Sequence, residues 1–156
     1  MGKSLNRVKN HAQALGFNLQ IIEMTTDTRT AQQAADAVGC QVGQIVKSII
    51  FRGDNSGTAV LFLTSGSNQV CPDKAAALAG EPLGKANASP IRAQTGFAIG
   101  GVAPIGHKNP IRSFLDPALL EYATVWAAAG TPQHVFEISP QDLHRFTDAE
   151  TGPFTQ

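Results

Sequence analysis

The sequence predicts an α/β (α+β) fold, a mixed, barrel-like β-sheet flanked by short helices, and three observations carry that prediction. Short apolar, strand-like runs outnumber helical stretches along the chain. Asp54-Asn55-Ser56-Gly57 is a hairpin signal, and the run after it, Val60-Leu61-Phe62-Leu63, is apolar on both faces, as a central strand is. Between the strand-like runs, helix starts recur as capping residues or prolines. The 156 residues suit a single unit spanning 1–156 with one core, and 42% hydrophobic against 15% charged residues mark a globular chain.

Taken in order, Ser4 caps a first helix whose apolar positions Leu5, Val8, Ala12 and Leu15 follow helical spacing, with Gly16 as its stop. Residues 17–24 read as a strand. Thr30-Ala31-Gln32-Gln33 fits a capping box, and the alanine-rich helix it opens ends at Gly39. A turn through Val42-Gly43-Gln44 leads into a strand over residues 45–51, and the hairpin returns along residues 58–64. Pro72, Pro90, Pro117 and Pro140 mark further helix starts, the last three after Ser89, Asp116 and Ser139. Residues 97–102, 111–115, 123–127 and 135–138 read as strands, and the polar tail, 147–156, is expected to fray.

The net charge is zero but unevenly spread. Up to residue 112 there are 11 Lys+Arg against 6 Asp+Glu, or +5; from 113 onward Arg145 stands against six acids, or −5. This balance argues against strong non-specific nucleic-acid binding and leaves room for a local, salt-sensitive contact with phosphates. No apolar run is long enough to span a membrane, and the first seven residues lack a signal-peptide core, so a cytoplasmic location without membrane partners is expected. Cys40 and Cys71 make no metal motif, and no His-x-x-x-His pair occurs; neither a metal nor another cofactor is expected.

Chemistry is suggested by Lys47 in Ile45-Val46-Lys47-Ser48-Ile49-Ile50-Phe51. Strand side chains alternate, so Lys47 shares a face with Ile45, Ile49 and Phe51. An ammonium on an apolar face needs a partner or a task, or else an edge from which it reaches water. Pairing with the apolar return strand argues against a solvent edge. Downstream, Gly100-Gly101-Val102-Ala103-Pro104-Ile105-Gly106-His107 is a glycine-rich turn stiffened by proline, able to bring backbone close to a ligand or simply to join two strands. Ala127-Ala128-Ala129-Gly130-Thr131 is a second small-residue segment, suited to close packing or to walling a small cavity. Of four histidines, His11 and His144 read as helix-surface residues, and His107 alone lies near a candidate site.

In this order, the Ile-Val-Lys-Ser-Ile-Ile-Phe strand, residues 61–66, Thr95-Gly96-Phe97, the Gly-Gly-Val-Ala-Pro-Ile-Gly loop and the Ala-Ala-Gly strand end, the chain resembles the YbaK/prolyl-tRNA-synthetase-associated editing family, from the Thr30 helix to near Ile138. The resemblance implies a mixed barrel-like α/β fold and hydrolysis, in trans, of the ester joining a wrong amino acid to tRNA for proline. It implies catalytic roles for Lys47 and for the backbone at Gly101, within the Gly100–Pro104 element that positions the ester and stabilises its oxyanion. Ser48, Gly100, Val102, Ala103, Pro104, Gly106, Ala128, Ala129, Gly130 and Thr131 are then expected to bind substrate. Arg29, Lys74, Lys85, His107 and Lys108 are candidates for tRNA contact. Partners would be the acceptor end of mischarged tRNA and a prolyl-tRNA synthetase.

Two positions depart from the family's patterns. Ala128 stands where cysteine-specific relatives carry Ser, and Ser48 where alanine-specific relatives carry Asn. A pocket lined by Ala103, Ala128 and Ala129 would suit a small apolar side chain such as Ala or 2-aminobutyrate, with Cys as the family's other small substrate. Two alternatives remain from other classes: a non-catalytic tRNA- or amino-acid-binding module of the same fold, and a Schiff-base enzyme using Lys47.

Overall fold

The computed structural model describes residues 2–25, 30–98 and 101–156. Its elements are helix α1 (Gly2–Ala14), strand β1 (Ile21–Glu23), α2 (Ala31–Val38), β2 (Val46–Gly53), β3 (Ala59–Ser65), α3 (Pro72–Ala79), β4 (Leu83–Lys85), α4 (Ala88–Thr95), β5 (Arg112–Leu115), β6 (Val125–Thr131), β7 (His134–Ile138), α5 (Pro140–Thr147) and β8 (Glu150–Thr151), with short 3-10 turns at Val42–Gln44 and Pro117–Glu121. The strands form a mixed five-stranded sheet, β4-β2-β3-β5-β8, and a three-stranded sheet, β1-β7-β6. The expected mixed α/β architecture is what is found.

The elements follow their local chemistry. Thr30 accepts from the Gln33 N–H while the Gln33 side chain returns to the Thr30 N–H, the predicted capping box, and Gly39 closes α2 in the left-handed conformation. Ser139 accepts from the Asp142 N–H at the start of α5, one residue before Pro140. The hairpin pairs β2 with β3 from Val46↔Ser65 to Arg52↔Ala59. Both faces of β3 are buried, as its sequence predicts: Leu61 and Leu63 join a core shared with β6, β7, α1 and α5, while Val60 and Phe62 join a second core under α3.

Five expectations are corrected. Helix α1 begins at Gly2, so Ser4 lies inside it, and α4 begins at Ala88 after Asn87, so Ser89 and Pro90 do not mark its start. Residues 17–20 are irregular, and only Ile21–Glu23 pair, with β7; Phe17 and Leu19 pack on the main core without joining a sheet. Residues 97–98 and 101–102 are not strand, because the Phe97 N–H turns back to Thr95 Oγ1 and the Gly101 N–H to the Ala98 carbonyl; the rest of that expected strand lies outside the described residues. The tail does not fray: β8 pairs with β5, the Cys71 N–H donates to the Phe154 carbonyl, and Phe154 is fully buried against Phe62. A single aromatic residue with a buried socket is enough to hold an otherwise polar segment.

Candidate active site

Lys47 lies where the two sheets meet. β4 pairs with β2 only from Phe51 to Gly53, so beside Lys47 the second edge of β2 turns toward β6, to which Ile45 makes an isolated parallel bridge at Trp126. Along the Lys47 face, Ile45 packs under α2, and Ile49 and Phe51 pack on the core under α3. Between these covers is a cavity of about 270 Å³, lined from β2 by Lys47 and Ser48, from α2 by Ala31 and Ala34, from β6 by Trp126 and Ala128, and by Val102 and Val135.

The ammonium is held by a turn. Lys47 Nζ donates to the Asn68 carbonyl at 2.5 Å. That turn is fixed by Asp116, a buried carboxylate that accepts from Asn68 Nδ2 (2.9 Å), the Ser65 N–H (3.1 Å) and the Ala118 N–H (3.0 Å). Gly66 begins the turn, and any side chain there would collide with the Val42 carbonyl. Burial lowers the Lys47 pKa from its ordinary value, and the Asp116 charge works in the opposite direction. With one N–H committed to Asn68, an ammonium has two more donors for a ligand. Ser48 Oγ is buried with no hydrogen-bond partner among the described residues, and its residue lines the same cavity. A buried unpaired hydroxyl is costly and points to a ligand that would satisfy it.

The glycine-rich loop and the small-residue end of β6 do meet. A Cβ on Gly101 would lie 3.0 Å from Thr131 Cα. Of the predicted residues, Lys47, Ser48, Val102, Ala128 and Thr131 line the cavity. The others do not. Ala103 and Ala129 are fully buried in the main core; for Ala129, strand alternation requires this once its neighbour Ala128 faces the cavity. Gly130 packs against Ser4 of α1 and the Phe97 ring, Pro104 faces a separate cavity beside α5, and Gly106 lies against α1. His107 is half-buried: its Nε2 bonds the Ala103 carbonyl at 2.7 Å, and burial pushes its pKa down to about 4. His11, expected on a helix surface, is also half-buried, and its Nδ1 accepts from the Gly106 N–H at 2.7 Å. Lys74, Lys85 and Lys108 stand away from the cavity wall, and Arg29 and Gly100 lie outside the described residues.

Sequence reasoning missed Trp126, α2 and the Asn68–Asp116 turn. Trp126 was available, two residues before Ala128 on the same strand face. Asp116 was read only as a helix cap, and its partners at Ser65 and Asn68 are too distant in sequence to suggest themselves.

The arrangement of a fixed cation, a small-walled cavity and a backbone loop can be set beside known proteins. A family model described as an aminoacyl-tRNA editing domain matches residues 25–146. The chain belongs to that family. Among its relatives, the uncharacterised YwhH protein of Bacillus subtilis is 28% identical over 144 residues, 92% of this chain and 91% of that one. The candidate Cys-tRNA(Pro)/Cys-tRNA(Cys) deacylase EbsC of Enterococcus faecalis is 22% identical over 129 residues, 83% of this chain and 79% of that one. A crystal structure described as a candidate trans-editing enzyme for prolyl tRNA synthetase is 44% identical, with a TM-score of 0.93 over 100% of this chain and 99% of the other. No described helix of this editing domain is long and apolar enough to cross a membrane.

Proposed function

We propose that this editing domain is an aminoacyl-tRNA deacylase that acts in trans, releasing a small amino acid from mischarged tRNA, with tRNA for proline as the carrier. The observation that carries the reading is Lys47, a cation fixed by the Asn68 carbonyl at the mouth of a small cavity walled by Ala31, Ala34 and Ala128. An aminoacyl ester is already activated, so hydrolysis needs placement, oxyanion stabilisation and a positioned water more than a strong base.

Lys47 binds the phosphate or ribose of the terminal nucleotide. Burial lowers the Lys47 pKa and the Asp116 charge opposes that shift, while the ammonium already donates to the Asn68 carbonyl; a donor held in this way suits a positioning role over that of a general base. Ser48 Oγ hydrogen-bonds the aminoacyl group. The backbone at Val102, which lines the cavity, faces the developing oxyanion; the Gly101 N–H is committed to the Ala98 carbonyl, whereas among the described residues the Val102 N–H has no acceptor, leaving a donor for that task. A cavity of about 270 Å³ has room for a small aminoacyl group and part of the ribose, and its alanine walls offer a small side chain apolar contact. Delivery by a prolyl-tRNA synthetase belongs to the same reading.

The test is deacylation of tRNA for proline charged with Ala, 2-aminobutyrate, Cys, Ser or Pro, with native protein and Lys47→Ala. Selective release that drops about 100-fold in the variant is expected, the size of loss that misplacing the reacting groups brings. Binding of charged tRNA with no release from any member would make the chain a binding module.

A further inference from the structure

Helix α1 lies before the residues that the family model matches, yet it holds the back of the glycine-rich loop. Its side chains engage both backbone polar groups of Gly106: the Gly106 N–H donates to His11 Nδ1 at 2.7 Å, and Arg7 Nε donates to the Gly106 carbonyl at 3.3 Å. Arg7 also donates through its other nitrogen to the Gly96 carbonyl, at the end of α4, and its guanidinium lies 4.8 Å from the Phe97 ring centre. Gly106 has φ +80°, and a Cβ there would lie 3.2 Å from the Val8 backbone, so helix and loop touch main chain to main chain. His107, whose ring meets Phe97 edge-on, extends the brace by bonding the Ala103 carbonyl. Ala103 directly follows Val102, the loop residue that lines the cavity.

We infer that α1 sets the loop for the reaction, with Arg7 and His11 as positioning residues that grip Gly106 and thereby fix Val102 and the preceding backbone against the cavity. This rests on the proposed deacylase reading. Neither side chain lines the cavity, so neither is placed to touch substrate. Misplacing backbone donors by a fraction of an ångström should lower turnover while leaving the Lys47 side of the site able to bind.

The variants are His11→Leu, which removes the acceptor; His11→Asn, whose Oδ1 can take the place of Nδ1; and Arg7→Lys, which keeps the charge but loses the fork reaching both Gly96 and Gly106. Two readouts are taken: kcat and KM on the tRNA that the native protein deacylates best, and hydrogen exchange of the Gly106 amide. Expected for His11→Leu are a kcat about 10- to 100-fold lower with KM little changed, and exchange about tenfold faster or more; His11→Asn should recover most of both. Arg7→Lys should lower kcat in the same sense, and it decides the matter should His11→Leu fail to fold. Faster exchange with unchanged kcat overturns the inference, as does unchanged exchange. Absence of turnover in the native protein overturns the deacylase reading instead, and the grip on Gly106 is then upheld or rejected by exchange alone.

Discussion

Asp116 shows how much one buried carboxylate can organise. It caps the Pro117–Glu121 turn, holds the end of β3 through the Ser65 N–H, and fixes the side chain of Asn68, the residue whose backbone carbonyl receives Lys47. Asp116→Ala leaves those three donors without an acceptor, at about 1–3 kcal/mol for each one that water cannot reach. The expected result is an unfolding free energy lower by roughly 3 kcal/mol or more in urea titration, with a lower deacylation rate at temperatures where the variant is still folded. A stability loss with native kcat would show that Lys47 does not depend on this turn. Ala128 sits on the opposite wall. Ala128→Leu should leave the fold intact, because the side chain points into the cavity, and should depress release of 2-aminobutyrate and Cys more than release of Ala. A panel of charged tRNAs reads this directly; equal changes across the panel would separate Ala128 from substrate choice. Lys47 was legible in the sequence through alternation along a strand, applied to a misplaced charge, and Ala128 only as one of a run of small residues that does not by itself say which alanine faces the cavity. The same rule excludes Ala129, which is buried in the core. Asp116 was only half legible, since its capping role accounts for it completely without the site.

At the scale of elements, the loop over residues 101–107 is held on three sides, by β6, by α1 and by its own histidine. His107 makes that arrangement sensitive to acid. Burial pushes its pKa from 6.5 down to about 4; the nearby His11 and Arg7 add to the lowering, and the bond to the Ala103 carbonyl opposes it. The folded protein therefore holds the ring neutral at pH values where the unfolded chain would protonate it. Its contribution is complete above about pH 6.5 and is lost as the pH falls toward 4. A difference of that size corresponds to about 3 kcal/mol as an upper figure. The melting temperature should fall between pH 7 and pH 4, and His107→Gln, which has no charge to gain, should flatten that slope; parallel slopes in the two proteins would place the acid sensitivity elsewhere. The sequence identified the loop as an element but not its supports. Helical periodicity locates α1, yet it says nothing of what lies 95 residues away, and His11 looks like any polar residue on an amphipathic helix until Gly106 is placed beside it.

At the scale of the molecule, two cores share the five-stranded sheet. The larger fills the space between the sheets and under α1 and α5; the smaller lies under α3 and is closed by the tail. The cavity opens at the junction of the sheets, where α2 and α3 cover neighbouring stretches of the Lys47 face and leave the lysine between them. The polar composition of residues 147–156 suggests a loose end because composition averages over the one residue that matters. Phe154 is fully buried, with its ring centre 5.0 Å from Phe62 and Phe62 in turn stacked on Phe114 at 5.2 Å. Phe154→Ala should then cost about 3–5 kcal/mol, as for a large side chain removed from a packed core, whereas a frayed tail would register almost nothing. Activity separates the two cores. Phe154 and its ring partners do not line the cavity, so the variant should deacylate at the native rate at low temperature and lose activity on warming only as it unfolds. A rate already reduced in the cold, with the fold intact by circular dichroism, would mean that the packing under α3 reaches Lys47 through Ile49 and Phe51, its neighbours on the same face of β2.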